Sequence, residues 1–217
     1  MNIIPLLFLT IWQLSEPTVV APAYPTDPHA DQVFLDLIGV NFLAVAVLEP
    51  SDEANSRVVM LVPAETPATR RSVFVDAVKT ALNQWRLPGI RKNKKALVVV
   101  TFRDWVMFST EPSVPIQWEQ LKHSLPLPTS VTWPVYPEPH ANKHFAMPTA
   151  VILHLQIDVG GHVSTLRILR GTEEANKAAI EAVKQWKFFP AHDESGKPAG
   201  SDAYAVCVYR PLLLQIQ

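Results

Sequence analysis

The 217-residue sequence contains one cysteine, Cys207, so no internal disulfide can form and a thiolate zinc centre is excluded. Glycine is scarce, with 7 residues, and no apolar run reaches the ~20 residues that cross a bilayer as a helix. Neither charge sign dominates: 19 Lys and Arg face 20 Asp and Glu, a net charge of -1. A chain so balanced has no general pull toward nucleic acid or anionic lipid. Proline is what it has in excess, 20 residues where average usage gives roughly 11. Several extended spacers are therefore expected. At 48% hydrophobic and 18% charged residues the chain can bury a core, and its length suits one ordinary domain or two small ones.

The first segment reads as a targeting signal. Ile3 to Trp12 is apolar but short, and Ala21-Pro22-Ala23 fits a small-Xaa-small cleavage site. Residues 1–23 are thus expected to be a signal peptide, or a short anchor if they are kept. No Lys or Arg precedes the run and Pro5 sits within it, which leaves a buried first strand as the alternative. No cysteine lies near the site, so a lipid-anchored mature form is excluded. The rest of the chain is expected to be soluble.

The second half is the clearer. Val151, Leu153, Leu155 and Ile157 alternate with less apolar residues, the period of a half-buried strand. Asp158-Val159-Gly160-Gly161 supplies a turn, and Val163 to Leu169 returns to make a hairpin. A helix follows, with Thr172 as N-cap and Glu173 and Glu174 suited to its dipole. Ala175, Ala179, Ala182, Val183 and Trp186 fall on one stripe, Lys184 and Lys187 close the last turn, and Pro190 is expected to stop the helix. A polar loop from Asp193 to Asp202 leads to a last strand, Ala203 to Tyr209.

Sliding back 101 positions brings Phe74, Val78, Ala81, Leu82 and Trp85 onto the same stripe, with Pro88 close behind. Phe42 to Leu48 and Arg57 to Val62 precede it as two strands around Ser51 to Asn55, and Ala96 to Phe102 follows as a third. The same element order twice, with tryptophan at the same place, reads as a degenerate internal duplication. Between the halves, Pro112 to Pro148 contains eight prolines, a stretch that favours extended backbone. Trp118, Leu121 and Leu125 mark places where it should pack as a short helix or strap. The expected organisation is a first unit at 31–108, a proline-rich linker at 109–132 and a second unit at 133–217.

Chemistry is hard to place on this chain. His140 and His144 are the one histidine pair at helical spacing, with no His-Glu-Xaa-Xaa-His context, so no metal is expected. Ser164, Ser195 and Ser201 lack a nucleophile elbow, and Cys207 lies mid-strand without a placed histidine. No catalytic residue and no cofactor are expected. Arg91-Lys92-Asn93-Lys94-Lys95 reads as a solvated loop and not a nucleic-acid patch. Trp186 and Trp85 read as core residues and not ligand platforms.

Tyr136-Pro137, Asp158-Xaa-Xaa-Gly161, Trp186-Lys187-Phe188-Xaa-Pro190-Ala191 and Gly196-Lys197-Pro198 resemble the TonB carboxy-terminal domain family, over about residues 133 to 212. The first half keeps Val78, Ala81, Trp85 and Pro88 but lacks the Asp-Xaa-Xaa-Gly turn. The resemblance implies an α+β fold of two small units, each a three-stranded antiparallel sheet packed on one helix in the order strand, strand, helix, strand. It also implies an envelope protein of a Gram-negative bacterium, periplasmic or inner-membrane-anchored. Its activity would be non-catalytic binding of a protein or peptide, outer-membrane receptors being the family's known partners, by strand addition to a sheet edge. The receiving strand implied is Ala203, Tyr204, Ala205, Val206, Cys207, Val208 and Tyr209, which has no proline and no charge to guard an edge. Tyr136, Pro137, Asp158, Gly161, Trp186, Phe188, Pro190 and Trp85 would be structural.

The alternative is an inner-membrane-anchored energy transducer that couples proton-motive force to receptor transport. Against it, the proline-containing stretch Glu16 to Pro28 reaches only about 40 Å as polyproline, short for crossing a periplasm. The two units leave a second choice open. Ala96–Phe102 and Ala203–Tyr209 can pair with each other into one continuous sheet, or each can stay open to a partner; pairing is the expected arrangement, because both strands are apolar and uncharged and an intramolecular partner has a high effective concentration.

Overall fold

A computed structural model of the chain describes residues 41–50, 56–64, 68–86, 94–103, 113–116, 124–135 and 149–210. The targeting segment at 1–23 lies outside the described residues, as do Pro88, Trp118, Leu121, Tyr136, Pro137, His140 and His144. The fold is α+β, strand-rich with two helices among the described residues.

The first hairpin joins β1 (Phe42–Pro50) to β2 (Ser56–Ala64), and α1 (Ala68–Leu82) and β3 (Ala96–Arg103) follow. Two short strands, β4 (Ser113–Pro115) and β5 (Leu127–Thr132), come next. The second hairpin joins β6 (Thr149–Ile157) to β7 (Val163–Arg170), followed by α2 (Glu173–Val183) and β8 (Lys187–Phe189). A small ribbon, β9 (Ala191–His192) and β10 (Pro198–Ala199), leads to β11 (Ser201–Tyr209).

Two separate three-stranded sheets are not what forms. The large strands make one six-stranded sheet in the order β2-β1-β3-β11-β6-β7. At its centre β3 and β11 run parallel, Leu97 opposite Ala203 through Arg103 opposite Tyr209. The other ladders are antiparallel. The reason lies in the backbone: a half-sheet ending at β3 or β11 would leave a row of buried donors and acceptors unmet, and pairing the two rows meets both.

Because side chains alternate along a strand, the sheet has two covered faces. On one, Ala96, Val98, Val100 and Phe102 of β3 pack with Phe74, Val78 and Leu82 of α1. On the other, Leu97 and Val99 join Ala175, Ala179 and Val183 of α2. The helices therefore lie on opposite faces. Phe74 anchors α1 by stacking on Phe42 at 5.0 Å and meeting Phe102 edge-on at 5.1 Å. Each such side chain, fully buried, contributes about 1.5–3 kcal/mol.

The described parts of the proline-rich stretch, 113–116 and 124–135, pack into the core and include two short strands. β5 pairs with β4 and β8, and Ile116, Leu127, Val131 and Trp133 are buried against the α2-side face. Pro115 lies in β4, at the edge of this small sheet, and Pro128 lies in the middle strand β5 beside a pairing irregularity, and both places tolerate a missing N–H. Two helix-end expectations also change. Thr172 occupies the N-cap position but its side chain makes no capping bond; its carbonyl accepts Asn176 N–H instead, at 2.8 Å. Pro190 does not stop α2, which ends at Val183 with Lys184 as C-cap, because Trp186 must turn inward and β8 must start before the proline.

Candidate functional site

The motif residues of the second half converge on one junction. Asp158 opens the β6–β7 turn, its carboxylate accepting from Gly160 N–H at 2.8 Å and His162 N–H at 2.9 Å. These two bonds, the His162 one first, hold the exposed carboxyl below the usual carboxylate range. Gly161 has φ +80, and a Cβ there would run into the Phe188 carbonyl oxygen. Only glycine fits. In return Phe188 N–H donates to Gly161 O at 2.9 Å, and His162 bridges Lys187, so the turn is fastened to β8.

Trp186 ties the same junction to the strap. Its indole ring is 1% exposed beside Ala179 and Val183, and its N–H donates to Thr132 O at 2.9 Å. Phe188 is buried one strand over, opposite Pro128 of β5. Pro190, half-buried, separates β8 from β9. The spacing Asp-Xaa-Xaa-Gly and Trp-Xaa-Phe thus joins helix end, turn and strap at one point. A second polar turn follows: Asp193 accepts from Ser195 Oγ at 2.7 Å, Ser195 N–H at 2.9 Å and Lys197 N–H at 2.9 Å, around Gly196 at φ +79.

Trp85 lies three residues beyond the end of α1, as Trp186 does beyond the end of α2. It is fully buried, and its ring meets Tyr204 of β11 edge-on at 5.7 Å. Its carbonyl accepts Ser56 N–H at 2.6 Å, and Ser56 Oγ donates to Leu82 O at 2.7 Å, fastening β2 to the end of α1.

Ala203 to Tyr209 is not an edge. β11 is paired along one side with β6 and along the other with β3, and every residue from Ala203 to Tyr209 is buried. The receiving strand implied by the resemblance is corrected accordingly: a partner strand would have to displace β3. A long strand without charge or proline marks a sheet centre, buried on both faces, as readily as an unguarded edge. Burial pushes the Cys207 thiol up to about 12 and the Tyr204 hydroxyl up to about 12. Among the described residues the Tyr204 hydroxyl has no hydrogen-bond partner. Beside it lies a pair that no pattern in the sequence joins, His154 Nε2 and Asp202 Oδ1 at 2.9 Å.

Among the described residues the sheet ends at β2 and β7. β7 exposes Arg167, Ile168 and Arg170, and its ladder to β6 has irregularities at two places. β2 exposes Val59 and Met60, each 39%, and carries no charge from Val58 to Ala64. Near its start, Arg57 and Lys95 both pair with Glu49, at 3.2 and 2.9 Å. The Lys95 bond first, then Arg57, lowers the Glu49 pKa. Lys95 is the last residue of the basic run, which so ends on an intramolecular partner. No group of three His, Cys, Asp or Glu able to hold a metal occurs among the described residues, and no described helix is long and apolar enough to cross a membrane.

Residues 134–206, a third of the chain, match the family model described as Gram-negative bacterial TonB protein C-terminal. The family resemblance of the second half is shown by this match. A comparison with curated proteins found no match.

Proposed function

We propose that the chain is a non-catalytic TonB-family protein of the Gram-negative envelope, built of two units of one kind. It takes an extended segment of a partner protein onto the β2 edge of its sheet. The two-unit part is supported by the spacing of the strands. A shift of 107 positions carries Phe42, the start of β1, to Thr149, the start of β6, and Ser56, the start of β2, to Val163, the start of β7, and it carries Ala96 of β3 to Ala203 within β11. Phe102 then corresponds to Tyr209 and Arg103 to Arg210, both arginines being buried. An odd shift swaps faces, and the clusters follow it: Val98 is on the α1 side and Ala205 on the α2 side. The relation is a pseudo-twofold axis along the central strands, with β3 holding the side of β11 that a lone unit would offer to a partner.

The choice of β2 rests on how the two sheet ends are guarded. Exposed arginines on β7 discourage a further strand. The β1–β2 ladder is irregular too, between Val58 and Met60, and Pro63 stands near the end of β2, but β2 carries no charge from Val58 to Ala64 and presents Val59 and Met60 to solvent, so an incoming strand gains main-chain bonds and apolar contact there. The single observation that carries the reading is that edge, uncharged and apolar, on a sheet whose second half belongs to a family of protein-interaction domains.

Photo-crosslinking in cells, with a benzoylphenylalanine at position 59, 60, 164 or 168, tests it. Defined adducts from 59 and 60, and none from 164 and 168, are expected. Adducts from the β7 positions alone would move the site to the other edge. Absence of any adduct at all four would end the proposal.

A further inference from the structure

Among the described residues β2 is paired along one side only, so alternate main-chain groups point away from β1. Ser56 and Val58 show which residues these are before the pairing irregularity. Ser56 N–H donates to Trp85 O at 2.6 Å, and Val58 N–H donates to Asn83 Oδ1 at 2.9 Å. The extra residue between Val58 and Met60 then moves the alternation by one. Leu61 and Pro63 point outward from there, which agrees with a proline standing where the ladder asks for no N–H. The outward donors from Ser56 to Pro63 are thus those of Ser56, Val58 and Leu61, and the first two are already engaged.

The two engagements differ in kind. Ser56 is 4% exposed and its hydroxyl also donates to Leu82 O at 2.7 Å, so that joint is buried and permanent. Asn83 is exposed, one residue beyond the end of α1. Its N–H donates to Lys79 O at 3.0 Å, which holds the backbone and leaves the carboxamide to turn about its own torsions. The bond to Val58 lies in contact with water. Breaking it costs little, since water can take over both groups. Strand addition draws its affinity from main-chain bonds, so a segment that gained the Leu61 donor alone would hold weakly.

We infer, resting on the reading of β2 as the binding edge, that Asn83 guards that edge: its carboxamide oxygen holds Val58 N–H until a carbonyl of the incoming segment takes its place. The guard also gives the pairing a starting point. It begins at Val58 and runs toward Ala64, because Trp85 O seals the Ser56 position. The two ends of the sheet are then protected by different means. Exposed Arg167 and Arg170 stand on β7, while β2, without charge from Val58 to Ala64, has a replaceable hydrogen bond.

Benzoylphenylalanine at position 60 of the full chain, in cells, reads the guard through the yield of adducts. Asn83→Ala removes the acceptor and should raise the yield roughly fivefold, the factor that one net hydrogen bond makes. Asn83→Asp keeps an acceptor oxygen at the same reach and should stay at or below the parent yield. Gln84→Ala breaks a similar side-chain bond, to Thr80 O at 3.0 Å, that touches no strand, and should change nothing. Hydrogen exchange on the purified chain needs no partner: the Val58 amide should exchange faster in Asn83→Ala by a similar factor, with the amides of β1 and β3 unchanged. Yields alike in all three variants, or an unchanged Val58 rate, would overturn the guard and leave the binding edge standing. A lower yield in Asn83→Ala would make the side chain a contact to the partner and overturn the guard too. No adduct in the parent or any variant, with the Val58 amide released as expected, would instead strike the binding edge itself, and the guard with it.

Discussion

The two halves of the sheet share an architecture and differ in how their joints are made. In the second half a glycine at φ +80 lets the β6–β7 turn dock on β8, and a tryptophan N–H fixes the strap. In the first half Ser56 performs the fastening, through its own hydroxyl and N–H, at the other end of the hairpin loop. Equivalent packing is thus reached by different hydrogen bonds. Apolar stripes tolerate drift in sequence because many residues fill a similar volume, whereas a hydrogen-bonded joint needs particular atoms. The family match falls on the second half, where the joints use those particular atoms.

The largest test of this comparison is at the tryptophans. Trp186→Ala and Trp85→Ala should each cost about 3–5 kcal/mol in urea unfolding, since both rings are buried. Trp186→Phe should retain most of that and lose about 1 kcal/mol for the bond to Thr132 O. If either alanine variant kept its stability and lost only a partner, the residue would be a binding platform and the packing account would fail.

Gly161→Ala ranks next. It combines a left-handed backbone with a collision against Phe188, and a cost of about 3 kcal/mol is expected. Gly196→Ala has the same φ sign with open space around it, so about 1 kcal/mol is expected there. Equal effects at the two sites in thermal melts would mean that the β8 contact contributes nothing.

Reading forward from the sequence recovered the hairpins, both helical stripes and the two buried tryptophans. Their periods of two and 3.6 are set by local geometry alone. The strap was harder because Leu127 and Val131 alternate only briefly between prolines, a composition shared with open linkers. The central pairing was harder still. A strand such as Ala203 to Tyr209, apolar on both faces, has no polar phase to show which neighbours flank it. Chain direction in the β3–β11 ladder, parallel and not antiparallel, has no local signature at all.

A smaller effect separates the halves at alkaline pH. Tyr204 and Cys207 both lie on β11, in the second half. Both second-half groups have folded pKa values raised to about 12, from 9.0 and 10.0. A raised pKa means that the stabilisation is complete below the unfolded value and is lost as pH climbs toward the folded one. The melting temperature should therefore fall between about pH 9 and 12, and Cys207→Val with Tyr204→Phe should flatten that fall. Cys207 should also resist thiol reagents in the native protein at pH 8. An unaltered alkaline profile in the double variant would place the weakness elsewhere.

The smallest effect lies at the opposite end of the pH scale. Asp158 is held low by the N–H groups of His162 and Gly160, and Asp193 chiefly by the Ser195 hydroxyl. For a lowered carboxyl the stabilisation is present above the unfolded value and disappears as pH falls through the folded one. Asp158→Asn and Asp193→Asn should each lessen the acid-induced drop in melting temperature below pH 3.8, the ordinary aspartate value. If neither variant changes that drop, the two turns do not respond to acid.

The position of β11 has a consequence for the order of events during synthesis. It is the last strand of the described chain, yet it stands at the sheet centre and bridges strands laid down roughly fifty and a hundred residues earlier. No antiparallel hairpin can prime the β3–β11 ladder, so the sheet closes only after nearly all of the chain is available. Closure over such separations is slow, because the entropy of the intervening chain is lost before any contact forms. A slowest refolding phase sensitive to Val206→Ala and insensitive to Val62→Ala would report it.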